Sequence, residues 1–225
     1  MSSLEKIENA WRQFCNFDED DGSISYLTSQ SEWLKIAPDH ELISQAGPNG
    51  PVYLILSGKL KSVRYSRNGH EIWLSEIKPG TLVGEISALT DQVRSSHIIA
   101  TAASEVIKIN NQVFTQTLKT SGQFGYSVSR MLANRLKHTS TLLEELMSLE
   151  TGNRLHAELM RLARPSAEDT ELYIVDTAPT VSELATRIHT TRETASRELS
   201  KLIQRGLVKR EPTRMLIVVP ASRNA

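Results

Sequence analysis

The segment GEISALTDQVRSS, residues 84–96, carries the residue types that hold a phosphorylated sugar. Gly84 precedes Glu85, and nine residues beyond that Glu stands Arg94, followed by the hydroxyl residues Ser95 and Ser96. A guanidinium fork, backbone N–H groups and a Ser hydroxyl all donate to phosphate oxygens. An ionised carboxylate only accepts, which suits a ribose hydroxyl. Glu85 and Arg94 would serve equally well as a structural ion pair, so the motif by itself leaves both readings open.

A second set of residues suits the reading of base edges. TTRETASRELSKL, residues 190–202, opens a helix with Thr191, Arg192 and Glu193 and places Ser196 and Arg197 a turn later. Arg192, Glu193 and Arg197 share one side of its N-terminal half, the part of a recognition helix that enters a major groove. Arg pairs with guanine O6 and N7, and Glu accepts from the cytosine amine. An ordinary surface i,i+4 pair between Glu193 and Arg197 is the plainer alternative. Lys201 stands further along, where a helix leaves the groove and reaches phosphate at most. Charge points the same way. The chain is neutral overall, with 26 Lys and Arg against 26 Asp and Glu. Residues 1–150 hold 14 against 17, however, residues 151–225 hold 12 against 9, and residues 181–210 hold 7 against 3. A basic tail end suits an anionic partner.

Other chemistries find little support. The single cysteine, Cys15, excludes an intrachain disulfide and a four-cysteine cluster within one chain. The histidines at 40, 70, 97, 138, 156 and 189 have no ligand-like spacing, so no metal or haem is expected. The acidic run at 18–21 reads as a solvated turn. No general base accompanies the Arg94 region, which argues against an enzyme that hydrolyses nucleotides. The start, MSSLEKIENAWRQF, lacks a secretory layout, and no apolar run approaches ~18 residues. The expectation is a soluble cytoplasmic protein without a membrane partner.

These groups need elements to position them. Residues 1–20, with Trp11, Phe14 and Phe17, suggest a short amphipathic helix. From about Gly47 the texture becomes β: VYLILS (52–57), KLKSVRYS (59–66), EIWLSEI (71–77), SHIIATAA (96–103) and EVIKI (105–109), with turn signals at 57–58, 68–69 and 79–80. Short strands at this spacing predict an antiparallel barrel or sandwich. A short helix over 111–119 then leads into a long one over 121–149, where Thr-Gly at 151–152 is a plausible stop. After it come an amphipathic helix at 155–163 and a strand at 171–175. Thr180 with Glu183 forms a capping-box pattern before a helix over 180–188. A tight turn at 189–190, a second helix over 191–205 and strands at 207–210 and 215–220 complete a winged helix-turn-helix.

In the long helix Val128, Leu132, Leu136, Leu142, Leu143, Leu146 and Leu149 make a narrow apolar seam. On ~29 residues, about 43 Å at 1.5 Å each, such a seam suits pairing with a second copy. Thr139 and Ser140 interrupt it with two hydroxyls, either as a tolerated polar layer or for a purpose.

GEISAL…RSS, the preceding VYLILSGKLKSV…NGHEIWLSEIKPGTLVGE, NRLKHTS (134–140) and RETASR (192–197) together resemble the cyclic-AMP receptor protein (CRP/FNR) family of bacterial regulators. The resemblance runs from roughly Leu42 to Pro220. It implies an α+β chain: an N-terminal β-roll of double-stranded β-helix or jelly-roll type over 1–120, a dimerisation helix over 121–150 and a winged helix-turn-helix over 151–225. It implies a ligand set of Gly84, Glu85, Ile86, Ser87, Arg94, Ser95 and Ser96. In that set Glu85 would take the ribose 2′-hydroxyl, and Arg94 and Ser95 the cyclic phosphate. Thr139 would reach the base within its own subunit and Ser140 from the partner's helix. Thr191, Arg192, Glu193, Ser196, Arg197 and Lys201 would meet DNA, at a palindrome of TGTGA-like half-sites. The implied protein is a homodimer with cyclic AMP as effector, touching RNA polymerase. Ser96 stands where the receptor protein itself has Ala, and its extra hydroxyl keeps cyclic GMP open as rival or second ligand. A regulator of the same fold with another effector, or active without any, is the alternative. His138 precedes the Thr-Ser pair as a further departure. His189 stands where the family usually has Gly, at a turn that would force φ above zero at some cost.

Overall fold

The computed structural model describes residues 2–16, 21–66, 68–69 and 71–219. Its contacts divide the chain into two compact units, one up to Lys137 and one from His138 onward.

The first unit opens with α1 (Ser3–Cys15), capped reciprocally: the Ser2 hydroxyl accepts from the Glu5 N–H at 3.2 Å and the Glu5 carboxylate accepts from the Ser2 N–H at 2.8 Å. After α2 (Ser23–Ser29) come β1 (Glu32–Ile36), β2 (Glu41–Ile43), β3 (Val52–Ser57), β4 (Leu60–Tyr65), β5 (Glu71–Ile77) and β6 (Leu82–Val83). Then follow α3 (Glu85–Thr90), β7 (His97–Ala100), β8 (Ser104–Ile109), α4 (Asn111–Thr120) and α5 (Gly122–Ser148). The strands pair antiparallel in two sheets, ordered β1-β8-β3-β6 and β2-β7-β4-β5. Ile36, Ile55, Val83 and Val106 of the first sheet meet Ile43, Leu60, Ile77 and Ile98 of the second in one apolar layer. The other face of the first sheet, with Val52, Leu54, Ile107 and Ile109, packs against Trp11, Phe14, Phe114 and Phe124 of the helices. Side chains alternate along a strand, so β3 is covered on both faces. That is why VYLILS is an unbroken apolar run.

The predicted strands stand close to where they were expected, but β1 and β2 lie upstream of Gly47, outside the expected β region. Both are edge strands. They carry the exposed Glu32, Lys35 and Glu41, and β2 has only three residues. Charge on an edge strand is stable because one side faces water, and it erases the apolar alternation that marks interior strands. Of the amphipathic start, Trp11 and Phe14 are buried, whereas Phe17 and residues 18–20 lie outside the described residues. Asp21 ties two ends together, accepting from the Ser23 N–H at 3.1 Å and the Ser121 hydroxyl at 2.6 Å.

The second unit contains the end of α5, then α6 (Thr151–Leu162), β9 (Arg164–Pro165), β10 (Leu172–Val175), α7 (Val181–Arg187), α8 (Arg192–Gln204), β11 (Val208–Arg210) and β12 (Met215–Val218). The strands form an antiparallel sheet ordered β11-β12-β10-β9. Leu155 and Leu159 of α6 share a core with Leu184, Ile188, Leu199 and Leu202 of the helix pair and with Val175, Val208, Met215 and Ile217 of the sheet. Thr151 and Gly152 do not end the long helix. They open α6, because Glu150 turns extended (φ −63°, ψ 156°) and serves as its N-cap residue.

Candidate functional site

Gly84 starts the first constellation. It holds φ +87°, and a Cβ there would lie 2.5 Å from Arg94 Nη1 and 2.8 Å from the Pro51 carbonyl. Only glycine fits such a place. The close approach exists because Arg94 folds back under the α3 turn. Its Nη1 donates to the Gly84 carbonyl at 2.9 Å and to the Ser87 hydroxyl at 2.8 Å, and its Nη2 donates to the Pro51 carbonyl at 2.7 Å. The backbone pins it too: Arg94 N–H donates to Gly47 and Ala46 N–H donates to Arg94. Ser87 is buried and its hydroxyl donates to the Gly84 carbonyl at 3.1 Å.

An arginine has five N–H donors. Three are used here by the protein, both on Nη1 and one on Nη2. The Nε–H and the second Nη2–H have no acceptor among the described residues. A guanidinium can grip an oxyanion through Nε–H and Nη2–H together. Arg94 is thus locked in position with two donors unspent, which suits an oxyanion such as a phosphate. Ser95, the next residue, is exposed. Ser96 is half-buried and its hydroxyl accepts from Ser62 of β4 at 2.9 Å. Ile86 points outward, 44% exposed.

Glu85 does not pair with Arg94. It is 1% exposed, and its carboxylate is held by Arg135 of α5, whose second amino group donates to the Leu82 carbonyl at 2.9 Å. Burial pushes the Glu85 carboxyl above the ordinary carboxylate range, against the pull of the Arg135 guanidinium. The sequence reading did not single out Arg135 or Ser62. A signal for Arg135 existed: it lies four residues before Thr139, on the same helix face, beside an otherwise apolar seam. Ser62 gave none, being one hydroxyl in a strand.

On α5, Thr139 and Ser140 are both exposed, as is His138 before them. In the second unit, Thr180 and Glu183 make the expected reciprocal cap of α7. His189 takes φ +53° at the turn, the left-handed conformation that its position demanded. Thr191 is the cap of α8, its hydroxyl accepting from the Thr194 N–H at 3.2 Å. Ala195, Leu199 and Leu202 turn inward. That leaves Arg192, Glu193, Ser196, Arg197 and Lys201 together on the exposed face. Glu193 and Arg197 do not pair; Arg197 reaches Thr194 at 3.4 Å instead. Lys201 is engaged with Glu198 at 2.8 Å.

Comparison with known proteins matches the two segments that contain these constellations to two domain families. The cyclic nucleotide-binding domain family matches residues 33–121, and the Crp-like helix-turn-helix domain family matches residues 153–222. The chain belongs to the CRP/FNR family of transcription regulators. Within that family it is 28% identical to the cyclic AMP receptor protein of Thermus thermophilus over 196 residues, 87% of this chain and 86% of that one. It is 24% identical to a CRP-like cAMP-activated global transcriptional regulator of Mycobacterium tuberculosis, over 87% of this chain and 88% of that one. In fold it resembles the c-di-GMP responsive regulator CLP of Xanthomonas campestris, with a TM-score of 0.74 and 21% identity over 90% of this chain and 100% of that one. The family consists of transcription regulators rather than enzymes. Among the described residues no group of three His, Cys, Asp or Glu side chains is placed to hold a metal ion, and no helix is long and apolar enough to cross a membrane.

Proposed function

We propose that the chain is a homodimeric cytoplasmic regulator that binds cyclic AMP through Gly84, Glu85, Ile86, Ser87, Arg94, Ser95 and Ser96 and then binds a palindrome of TGTGA-like half-sites. The observation that carries this reading is the Arg94 guanidinium, fixed by Pro51, Gly84 and Ser87 with two donors left for a phosphate. The cyclic-AMP receptor relatives support the choice of nucleotide. The division of labour is the β-roll over 1–120, a dimerisation helix over 121–150 and a DNA-binding part over 151–225. Leu136, Leu143 and Met147, 68%, 57% and 81% exposed on α5, are the apolar groups that a second copy would cover.

Thr139 and Ser140 contact the base, Thr139 in its own subunit and Ser140 across the dimer, so that binding shifts a two-state equilibrium. In the bound state the two α8 helices are spaced for successive major grooves, ~34 Å apart. Arg192, Glu193 and Arg197 read base edges, Thr191 and Ser196 support them, and Lys201 leaves Glu198 for a phosphate. RNA polymerase is the partner once DNA is bound, and no metal or catalytic step takes part.

One observation favours cyclic GMP as a second ligand. The Ser62–Ser96 hydroxyl pair adds donors that a purely apolar wall would lack, and guanine offers acceptors as well as an amine. Calorimetric titration with cyclic AMP and cyclic GMP side by side, followed by operator binding with each, tests the whole reading. Binding of neither nucleotide overturns it in favour of another effector or of activity without one. Accumulation of AMP or GMP during incubation would make the protein an enzyme.

A further inference from the structure

Alternating charges join three helices of the second unit. Glu145 stands in the last turn of α5, Glu158 and Arg161 near the end of α6, and Arg187 is the last residue of α7. Arg161 Nη1 donates to both Glu145 oxygens, at 2.8 and 2.9 Å, and its Nε donates to Glu158 at 2.9 Å. The other Glu158 oxygen accepts from Arg187 at 3.3 Å. Glu158 is buried, and the two guanidinium groups compensate its charge where water is excluded. Glu145 and Arg161 are 16 residues apart, and the chain between them leaves the helical conformation at Glu150. From Thr151 the contact lies about 15 Å along α6 at 1.5 Å per residue. The pair is therefore a strut across the α5–α6 joint. Through Glu158 it reaches the end of α7, four residues before the Thr191 cap of α8.

Apolar packing has no preferred bond direction, whereas a charge-assisted pair does. A displacement of ~1–2 Å, the size of ordinary helix shifts in switching proteins, either carries Arg161 along with Glu145 or breaks both of its bonds to that carboxylate. Arg161 is not free to follow alone, because Glu158 holds its Nε. Such a pair adds little net stability over apolar packing of similar volume. Its consequence is geometric. We propose that Arg161 is a positioning residue: through Glu145 it holds the end of α5 at a fixed angle to α6 and passes a movement of α5 to the helix-turn-helix. That nucleotide binding is what moves α5 rests on the function proposed above; the strut itself does not. Glu145 and Arg161 belong to neither the nucleotide nor the DNA constellation, so their substitution leaves both sets of contacts in place.

Glu145→Gln is the deciding variant, because it keeps the side chain's shape and leaves Glu158 compensated by Arg161 and Arg187. Spin labels are placed on the exposed positions 144 of α5 and 204 of α8, as Glu144→Cys and Gln204→Cys with Cys15→Ala, in the full chain. Dilution with unlabelled chain restricts the measurement to distances within one chain. The parent should give one narrow distance distribution, Glu145→Gln and Arg161→Met a broad one, and Arg161→Lys, which keeps the charge, an intermediate one. In the same variants, operator affinity is measured with and without cyclic AMP. In Glu145→Gln the ratio of the two should fall about fivefold or more, while cyclic AMP affinity without DNA stays within about threefold of the parent. An unchanged distribution in Glu145→Gln would overturn the assignment. So would an unchanged ratio beside a lowered unfolding midpoint, which would make the pair a structural tie alone. If operator binding by the parent does not respond to cyclic AMP, the proposed function falls, and the distance measurement alone decides whether Arg161 positions α5.

Discussion

Arg135 reaches from α5 to the buried carboxylate of Glu85 and, with its other amino group, to the Leu82 carbonyl on the strand before it. The residue expected to meet a ribose hydroxyl is therefore also joined to the long helix. A carboxylate oxygen accepts more than one hydrogen bond, so the ion pair leaves Glu85 able to take a hydroxyl as well.

That pair sets a pH dependence. The Glu85 pKa is raised in the folded state, so the stability its protonation contributes is complete below the unfolded carboxyl range, about 4.3, and is lost as pH rises through the raised folded value. Arg135→Met removes the compensating cation and raises that value further. The variant should match the parent's electrostatic stability near pH 4 and fall below it by about 1–3 kcal/mol at pH 8. This is less than for a fully dry pair, because Arg135 is 34% exposed. Urea denaturation at both pH values checks this, and Glu85→Gln in the same chain should abolish the pH-dependent part.

Arg94 has two roles that substitution separates. Arg94→Leu should weaken cyclic AMP binding by about 2–4 kcal/mol by loss of a charge-assisted contact. It should also destabilise the first unit by about 1–3 kcal/mol, since the Pro51 and Gly84 carbonyls lose their donor. Arg94→Lys keeps the charge without the fork and should bind with an intermediate loss. Titration calorimetry and denaturation together measure both. Nucleotide affinity within threefold of the parent in Arg94→Leu would leave this arginine a purely structural tie.

Thr139 and Ser140 lie exposed on α5, consistent with a contact completed by ligand and partner. The Thr139→Ala, Ser140→Ala double variant should lose more of the nucleotide-stimulated operator binding than of nucleotide affinity. Fluorescence anisotropy on operator DNA and calorimetry on the same preparation compare the two. Equal losses would reduce the pair to an ordinary ligand contact.

On α8, Arg192 and Lys201 should fail differently. Arg192→Ala should cost about 1–3 kcal/mol per half-site on a TGTGA-type palindrome and much less on scrambled DNA, with the salt slope nearly unchanged. Lys201→Ala should weaken both DNAs alike and reduce the slope by about one unit. Lys201 must also give up Glu198, so its effect should sit at the low end. Competitive binding at two salt concentrations makes the distinction. An equal loss on both DNAs for Arg192→Ala would make it a phosphate clamp.

The sequence alone determined the elements whose signal is local. The capping box at Thr180 and Glu183, the long apolar seam, the turn glycines and the short β-rich run VYLILS each state their conformation within a few residues, because capping, amphipathicity and strand propensity are short-range effects. His189 is different: only the resemblance to a family that usually has Gly there placed a left-handed residue at that turn, and His189 adopts φ +53°. The tertiary structure decided which side chains share a partner. Glu85 and Arg94, nine residues apart, could as easily have been a pair, yet Glu85 is joined to Arg135, 50 residues on, and Arg94 to carbonyls at 51 and 84. Ser62 meets Ser96 only because β4 and β7 are neighbours in the sheet, and the charged edge strands β1 and β2 gain their order from the strands beside them. A side chain's polar partner depends on which buried acceptors lack donors, and burial is a property of the packed chain rather than of any segment.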